Sequence, residues 1–432
     1  MQDNSSSASA EFQGGPMYEF DLKRMDEKIK TFSKFGDTGN GGITRFSLSP
    51  AAIQARNEIK ARMTKLKLDF KTDDLGDIYC TLPPTQAAGP GETEPGIIMS
   101  GSHCDSVRQG GNFDGILGVL TAMEMIETIV TKKIPHKHPI QLVVWTNEEG
   151  ALYEPAMMCS GILCNKFEKD KMFNSLAKDG SGITFGQALK KSGFEGDISN
   201  RINPAKTKGL VELHIEQGPV LEEGGFDVGV VKGVVGMINY EFTFKGQADH
   251  AGTFPMPYRK DALFAASQAL IYLHQEFDKL ADSDLVYTTG KISCHPDIHT
   301  VIPDEVKFSL DVRHADPEII KKCVQIIQKM PKEWANCQMT YKPDWTRETI
   351  LFDKKLVQNV QQAADQLGYK SHVMYSGAGH DAQYLSEIVP TTMIFVPSQG
   401  GHSHCELEYS PSEWCWKGAN VLLNTILEID KQ

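Results

Sequence analysis

The sequence predicts an α/β fold. A mixed, mostly parallel sheet forms a discontinuous larger domain, and a smaller α+β domain of ferredoxin-like order is inserted into it. Three observations support this. Short apolar runs, Gly96-Ile97-Ile98-Met99 and Ile140-Gln141-Leu142-Val143-Val144, each run straight into a polar cluster, as strands ending at a ligand site do. Between them Ile116, Leu120, Met123, Ile126 and Val130 recur at the apolar spacing of a helix, which makes a strand–helix–strand unit with parallel strands and a right-handed crossover. From 236 to about 344 the order changes to β-α-β-β-α-β, the ferredoxin-like arrangement.

Taken in order, residues 1–17, rich in Ser, Ala, Gln and Gly, are expected to be a disordered tail. Helices are expected over 21–35 and 50–66, and an extended piece ends at 78–82. The Pro-, Gly- and Thr-rich stretch 83–95 breaks the chain before the first strand, the helix over 115–131 and the strand over 140–146. The insertion then reads as strand 238–245, helix 260–280, strands 286–293 and 305–313, helix 317–330 and strand 338–342. Val306, Phe308, Leu310 and Val312 alternate with polar residues, as in a sheet with one covered face. A helix over 353–367, a strand over 392–396 and a helix over 412–429 resume the first pattern. The larger domain is therefore expected over 18–235 and 345–432, and the insertion over 236–344.

A chain of 432 residues suggests about two domains. A hydrophobic share of 40% and a charged share of 23% fit a globular protein, and no apolar run approaches the ~20 residues of a membrane span. The net charge of -12 argues against a nucleic-acid partner, which needs a basic footprint, and favours a small molecule. Nine scattered cysteines without a CxxC pair read as free thiols of a reducing compartment. The first 17 residues hold Asp3 and Glu11 but no Arg or Lys, so neither a signal nor a transit peptide is expected and the location is read as cytoplasmic.

The polar clusters suggest half of a two-metal hydrolase site. Such a site needs a carboxylate shared by both ions, further His or carboxylate ligands, and a free carboxylate to take a proton from water. His103 would bind one ion, Asp114 would bridge, and of Glu148 and Glu149 one would bind while the other acts as base. Singly, each has a plainer explanation: a hydrogen-bonded histidine, a turn aspartate, a solvated acidic pair. Their joint placement, followed by Glu212-Leu213-His214-Ile215-Glu216-Gln217-Gly218 and by Ser403-His404, outweighs those readings.

The motifs Gly-Ser-His-x-Asp-Ser-Val with Gly-Gly-x-Phe-Asp-Gly (101–115), Thr-Asn-Glu-Glu-Gly (146–150), Glu-Leu-His-Ile-Glu-Gln-Gly-Pro (212–219), Ala-Asp-His-Ala-Gly-Thr (248–253) and Ser-Gly-Ala-Gly-His-Asp-Ala (376–382) occur in this order. The chain resembles the amidase/carbamoylase branch of the M20 metallopeptidase superfamily from about Gly41 to Tyr409. That branch includes N-carbamoyl-L-amino-acid hydrolases, β-ureidopropionase and allantoate amidohydrolases. The resemblance implies two divalent ions, zinc first, with manganese, cobalt or nickel also fitting, held by His103, Asp114, Glu149, His214 and His404. It makes Glu148 the general base, and the inserted domain a lid and dimerisation domain whose His250 stabilises the oxyanion and reaches the partner's site in a homodimer. Gln217, His250, Thr300, Arg313, Gly379 and His380 would contact a substrate that bears a carboxylate, and Asp105 would orient His103.

Three departures from the family pattern bear on substrate. Leu152-Tyr153 stands where Arg-Phe is common, Phe254 replaces a threonine, and Thr300 replaces an asparagine; a threonine hydroxyl lacks an amide's separate donor and acceptor. The expected activity is hydrolysis of an N-carbamoyl amino acid to the amino acid, carbon dioxide and ammonia. The alternatives are an allantoate or other ureido amidohydrolase, an M20 dipeptidase or aminoacylase, and a catalytically silent binding protein.

Overall fold

The structure, a computed structural model, describes residues 17–86 and 96–432. These form two compact units: the described part of Met1–Val231 with Asp353–Val373 and His380–Gln432, and Lys232–Phe352 with Met374–Gly379. Apart from Met17, the tail expected over 1–17 lies outside the described residues, as does 87–95 of the expected break. The sequence reading draws the insertion at 236–344, whereas the second unit also takes in 232–235, 345–352 and 374–379.

In chain order the strands are β1 Asp69–Thr72, β2 Ile78–Leu82, β3 Ile97–His103, β4 Ile140–Trp145, β5 Thr207–Ile215, β6 Val228–Val234, β7 Gly236–Lys245, β8 Val286–Thr288, β9 Ile292–His295, β10 Glu305–His314, β11 Glu333–Trp334, β12 Cys337–Arg347, β13 Ile350–Leu351, β14 Ser371–Ser376 and β15 Thr391–Val396. In the first unit they are ordered β1-β2-β4-β3-β5-β15-β6. The centre, β4-β3-β5-β15, is parallel, and β2 and β6 flank it antiparallel.

Both faces of this sheet are covered. Leu142 and Val144 pack with Ile78 and Ile98 on one face, while Val143 and Trp145 pack with Tyr79, Met99 and Leu210 on the other. That is why β4 reads as a continuous apolar run. The helix Ile116–Lys132 is buried on nearly all sides and packs on β3, as an all-round apolar helix must. Asp21 caps Leu22–Phe32 by accepting the N–H groups of Lys23 and Arg24, and Ser49 caps Pro50–Lys65. Four strands of this sheet, β5, β6, β13 and β14, were not expected. The central one, β5, carries Glu212 and His214 inside its apolar stretch, which hides its periodicity although both are buried.

In the second unit the order is β11-β12-β7-β10-β8, with β9 also on β10, and the pairings are antiparallel. The single strand expected over 286–293 is instead two. They pair with β10 at Asp311–Arg313 and at Glu305–Phe308, and Gly290 lies between them. Helices Ala262–Asp278 and Pro317–Lys329 cover one face of the sheet. Phe242, Phe244, Val306, Phe308, Leu310 and Val312 meet Ala266, Ala269, Leu273, Cys323 and Ile327 there.

Candidate metal centre

His103 closes β3, where register pairs it with Trp145 at the end of β4. The parallel pairing brings the Asn147-Glu148-Glu149 turn beside it. Asp114 precedes the helix Ile116–Lys132, and Gly115 between them has φ 64°. A Cβ there would stand 2.2 Å from the His103 ring, so glycine is needed for both the backbone conformation and the close approach. His214 comes from β5 and His404 from the loop before the helix Ser412–Asp430.

Among the described residues three donor sets emerge, in each of which the donor atoms lie within 4.8 Å of one another. Two of them, His103–Asp114–His214 and Asp114–Glu149–His404, share Asp114, and the third is Glu212–His214–His380. Asp114 Oδ1 lies 3.5 Å from His103 Nε2 and 3.3 Å from His214 Nε2. Its Oδ2 lies 3.4 Å from His404 Nε2, which is 3.5 Å from Glu149. Glu148 Oε2 stands 3.6 Å from His103 Nε2.

The imidazole tautomers follow from the partners of the other ring nitrogens. His103 Nδ1 donates to the carbonyl of Asp105 at 3.1 Å, and His214 Nδ1 to that of Ile215 at 2.9 Å. Both therefore commit Nδ1 as a donor and turn Nε2 toward the cluster, where a bound cation would take its lone pair. The carbonyl of Asp105, not its carboxylate at 3.7 Å, is its nearer contact with His103. The Asp105 carboxylate instead accepts the N–H groups of Glu148 and Glu149 and so fixes that turn.

The electrostatics are those of crowded, buried acids. Burial raises Glu148 well above the usual carboxylate range, and burial together with Asp114 pushes Glu149 up to about 8. Burial opposes charge on Asp114, but His214, His103 and His404 outweigh it and hold Asp114 well below that range. The hydrogen bond to Asp114 lifts His404 to about 9. Glu149 Oε1 is buried without a hydrogen-bond partner, although buried acceptors are normally paired. A divalent cation would relieve these defects, and the mixed imidazole–carboxylate donors suit zinc, manganese, cobalt or nickel. The residues fit two ions.

Among the other expected residues, Gln217, with φ 60°, donates to Asp114 Oδ2 at 2.6 Å. His380 is buried, its ring 4.5 Å from that of His214. His250, Thr300, Arg313 and Gly379 belong to the second unit. There His250 Nδ1 accepts the N–H groups of Gly252 and Thr253 at 3.0 and 3.2 Å, which leaves its Nε2–H as a donor. Thr300 offers its carbonyl to Ala251, next to His250. Arg313 Nε donates to Asp311 Oδ1 at 2.8 Å and Nη1 to the Gly377 carbonyl at 2.8 Å. Leu152 packs on the core and Tyr153 stacks edge-on with Phe185, so that departure concerns packing.

No motif points to Ser403 as a partner of Asp114 or to Glu408, and Asp311 stands in the sequence only as a polar position of the alternating strand 305–313. A clue to Glu408 lay in the Gly110-Gly111 pair, because a Cβ on Gly111 would collide with its carboxyl group. An open groove of about 830 Å³ lined by Glu222, Glu223, His402 and Tyr409 contains none of the donors; the centre is located by its donor geometry.

Comparison with known proteins agrees with this geometry. The profile of peptidase family M20/M25/M40 matches residues 99–428. An N-carbamoyl-L-amino acid amidohydrolase of Geobacillus stearothermophilus is 33% identical over 94% of this chain and 98% of its own length. An allantoate amidohydrolase of Bacillus subtilis is 31% identical over 94% of this chain and 97% of its own. A crystal structure of a hydantoinase/carbamoylase family amidase from Burkholderia multivorans superposes with a TM-score of 0.85 at 33% identity, covering 96% of this chain and 99% of that one.

Proposed function

The chain belongs to peptidase family M20/M25/M40, in its hydantoinase/carbamoylase branch, and from that premise we propose that it is a two-metal amidohydrolase acting on N-carbamoyl amino acids. The observation that carries the reading is the pair of donor sets sharing Asp114, with Glu148 beside them as the carboxylate that neither set uses. Bound ions would supply a water activated at neutral pH and polarise the ureido carbonyl. Glu148 takes the proton of the attacking water and returns it to the leaving nitrogen as the C–N bond breaks. Water and the ureido group become the amine, carbon dioxide and ammonia, so the atoms balance.

In this reading the second unit is the lid. His250 Nε2–H donates to the developing oxyanion, and Arg313, its fork held by Asp311, pairs with the substrate carboxylate. Gln217, His380 and Gly379 complete the substrate contacts. The lid also carries the homodimer interface: Phe264 and Ile271 on the helix Ala262–Asp278, Val286 on β8 and Ile292 on β9 are exposed apolar residues, a pattern that marks interaction surfaces. No helix among the described residues is long and apolar enough to cross a membrane, and all nine cysteines are free, which supports a reducing, cytoplasmic setting.

A second reading, allantoate hydrolysis, is favoured by the Bacillus subtilis relative and by two departures, Phe254 and Thr300, that flank His250 in the backbone hydrogen-bond pattern. Ammonia release from N-carbamoyl-β-alanine, N-carbamoyl-L-amino acids, allantoate and dipeptides decides among the substrates. Dipeptide cleavage without ureido turnover would sink both readings.

A further inference from the structure

Glu408 is buried at 3% exposure and sits between the two halves of the centre. Its Oε1 accepts the N–H groups of Phe113 and Asp114, both at 2.9 Å. Its Oε2 accepts the Ser403 hydroxyl at 2.9 Å and the N–H of His404 at 3.3 Å. Ser403 Oγ also lies 3.0 Å from Asp114 Oδ2. Its single hydroxyl hydrogen therefore serves Asp114 or Glu408, one at a time. His404 holds φ 56°, a left-handed backbone that a non-glycine residue adopts at a cost and that the surrounding structure must enforce. Gly111 makes the arrangement possible, since a Cβ there would stand 2.2 Å from the Glu408 carboxyl group.

We propose that Glu408 is a positioning residue that locks the bridging Asp114 and the ligand His404 into one register. This inference rests on the two-metal reading above. The chemistry asks for a carboxylate, because both oxygens receive donors and only an ionised acid accepts on both sides. Glutamine can keep the Phe113 and Asp114 half through its carbonyl oxygen, but its amide would then turn donors toward the His404 N–H. Glu408→Gln therefore releases the His404 half alone.

The test is competition for zinc between a chromophoric chelator and the metal-depleted full-length protein, alongside thermal melting of the metal-free protein. Wild type is expected to hold two ions. Glu408→Gln is expected to keep one at wild-type affinity and weaken the other by about 10–100-fold, the usual scale for partners that orient a ligand, with the metal-free melting temperature unchanged. Ser403→Ala, which keeps the carboxylate, is expected to weaken the same ion by a smaller factor and serves if the first variant does not fold. Two ions bound at wild-type affinity in either variant would overturn the proposal. So would equal weakening of both ions together with a lower metal-free melting temperature, which marks a general structural role. Fewer than two ions on wild type overturns the two-metal reading itself, before any variant is compared.

Discussion

His214 Nε2 lies 3.3 Å from Asp114 Oδ1, the carboxylate oxygen on the side opposite His404. Asp114 can therefore serve two ions without sharing an oxygen, and its loss should differ in kind from the loss of any histidine. Asp114→Ala is expected to leave fewer than one ion per chain, whereas His404→Ala should leave about one, by analogy with two-metal sites. Metal analysis after gel filtration reads this. Equal stoichiometry in the two variants would remove the bridging role.

Glu148 has a different duty. Its carboxylate is 3.6 Å from His103 Nε2, yet neither donor set needs it. Glu148→Gln should keep both ions and lower kcat by about 10²–10⁴, the usual contribution of general acid–base catalysis. If the variant loses an ion, Glu148 is a ligand and the base must be sought elsewhere.

The elements that were legible in the sequence are those whose interior is plain. The strands β3 and β4 open or end on the apolar runs Ile97-Ile98-Met99 and Leu142-Val143-Val144-Trp145, and the helix Ile116–Lys132 repeats apolar residues at helical spacing. The strand β5 sits at the sheet centre, but Glu212 and His214 occupy alternate positions where apolar residues would announce a strand: buried Glu212 accepts the Ser102 hydroxyl, and buried His214 joins a donor set. The candidate metal donors were legible because they stand in local motifs. Glu408 was not: its partner Asp114 lies 294 residues away in sequence, and no spacing encodes that approach. Asp311, two residues before Arg313 on β10, read only as an outward position of an alternating strand, although neighbours i and i+2 share a face and can pair.

That pairing holds Arg313 still for the carboxylate-binding role proposed for it. Asp311 and the Gly377 carbonyl fix the plane of the guanidinium, a geometry that lysine cannot reproduce. Arg313→Lys should raise KM by about 10–100-fold, roughly 1.4–3 kcal/mol, with kcat within about threefold, the signature of lost ground-state binding. Steady-state kinetics on the best substrate reads the split. An equal fall in kcat and kcat/KM would place Arg313 in the transition state instead.

Acid stability has a separate origin, outside the donor sets. Asp74 is buried between Lys169 and Arg201, with Arg201 Nε at 2.6 Å and Nη2 at 2.8 Å. Burial opposes its charge, but hydrogen bonds from Arg201 and Lys169 outweigh it and hold the carboxyl group below its ordinary range. A depressed folded-state value means that the stabilisation is fully present above the unfolded pKa of about 4 and is lost as pH falls through the folded value. At pH 7 Asp74→Asn should cost about 1–3 kcal/mol, because it weakens three charge-assisted bonds, and each kcal/mol should lower Tm by roughly 2–4 °C. The gap between variant and wild type should begin to narrow as pH drops below about 4, where the carboxyl group of the unfolded chain gains its proton, and should close as pH falls through the lower folded value. Thermal melts from pH 7 down to pH 3 check the sign. A gap that stays constant across this range would show that Asp74 acts through packing and not through its charge.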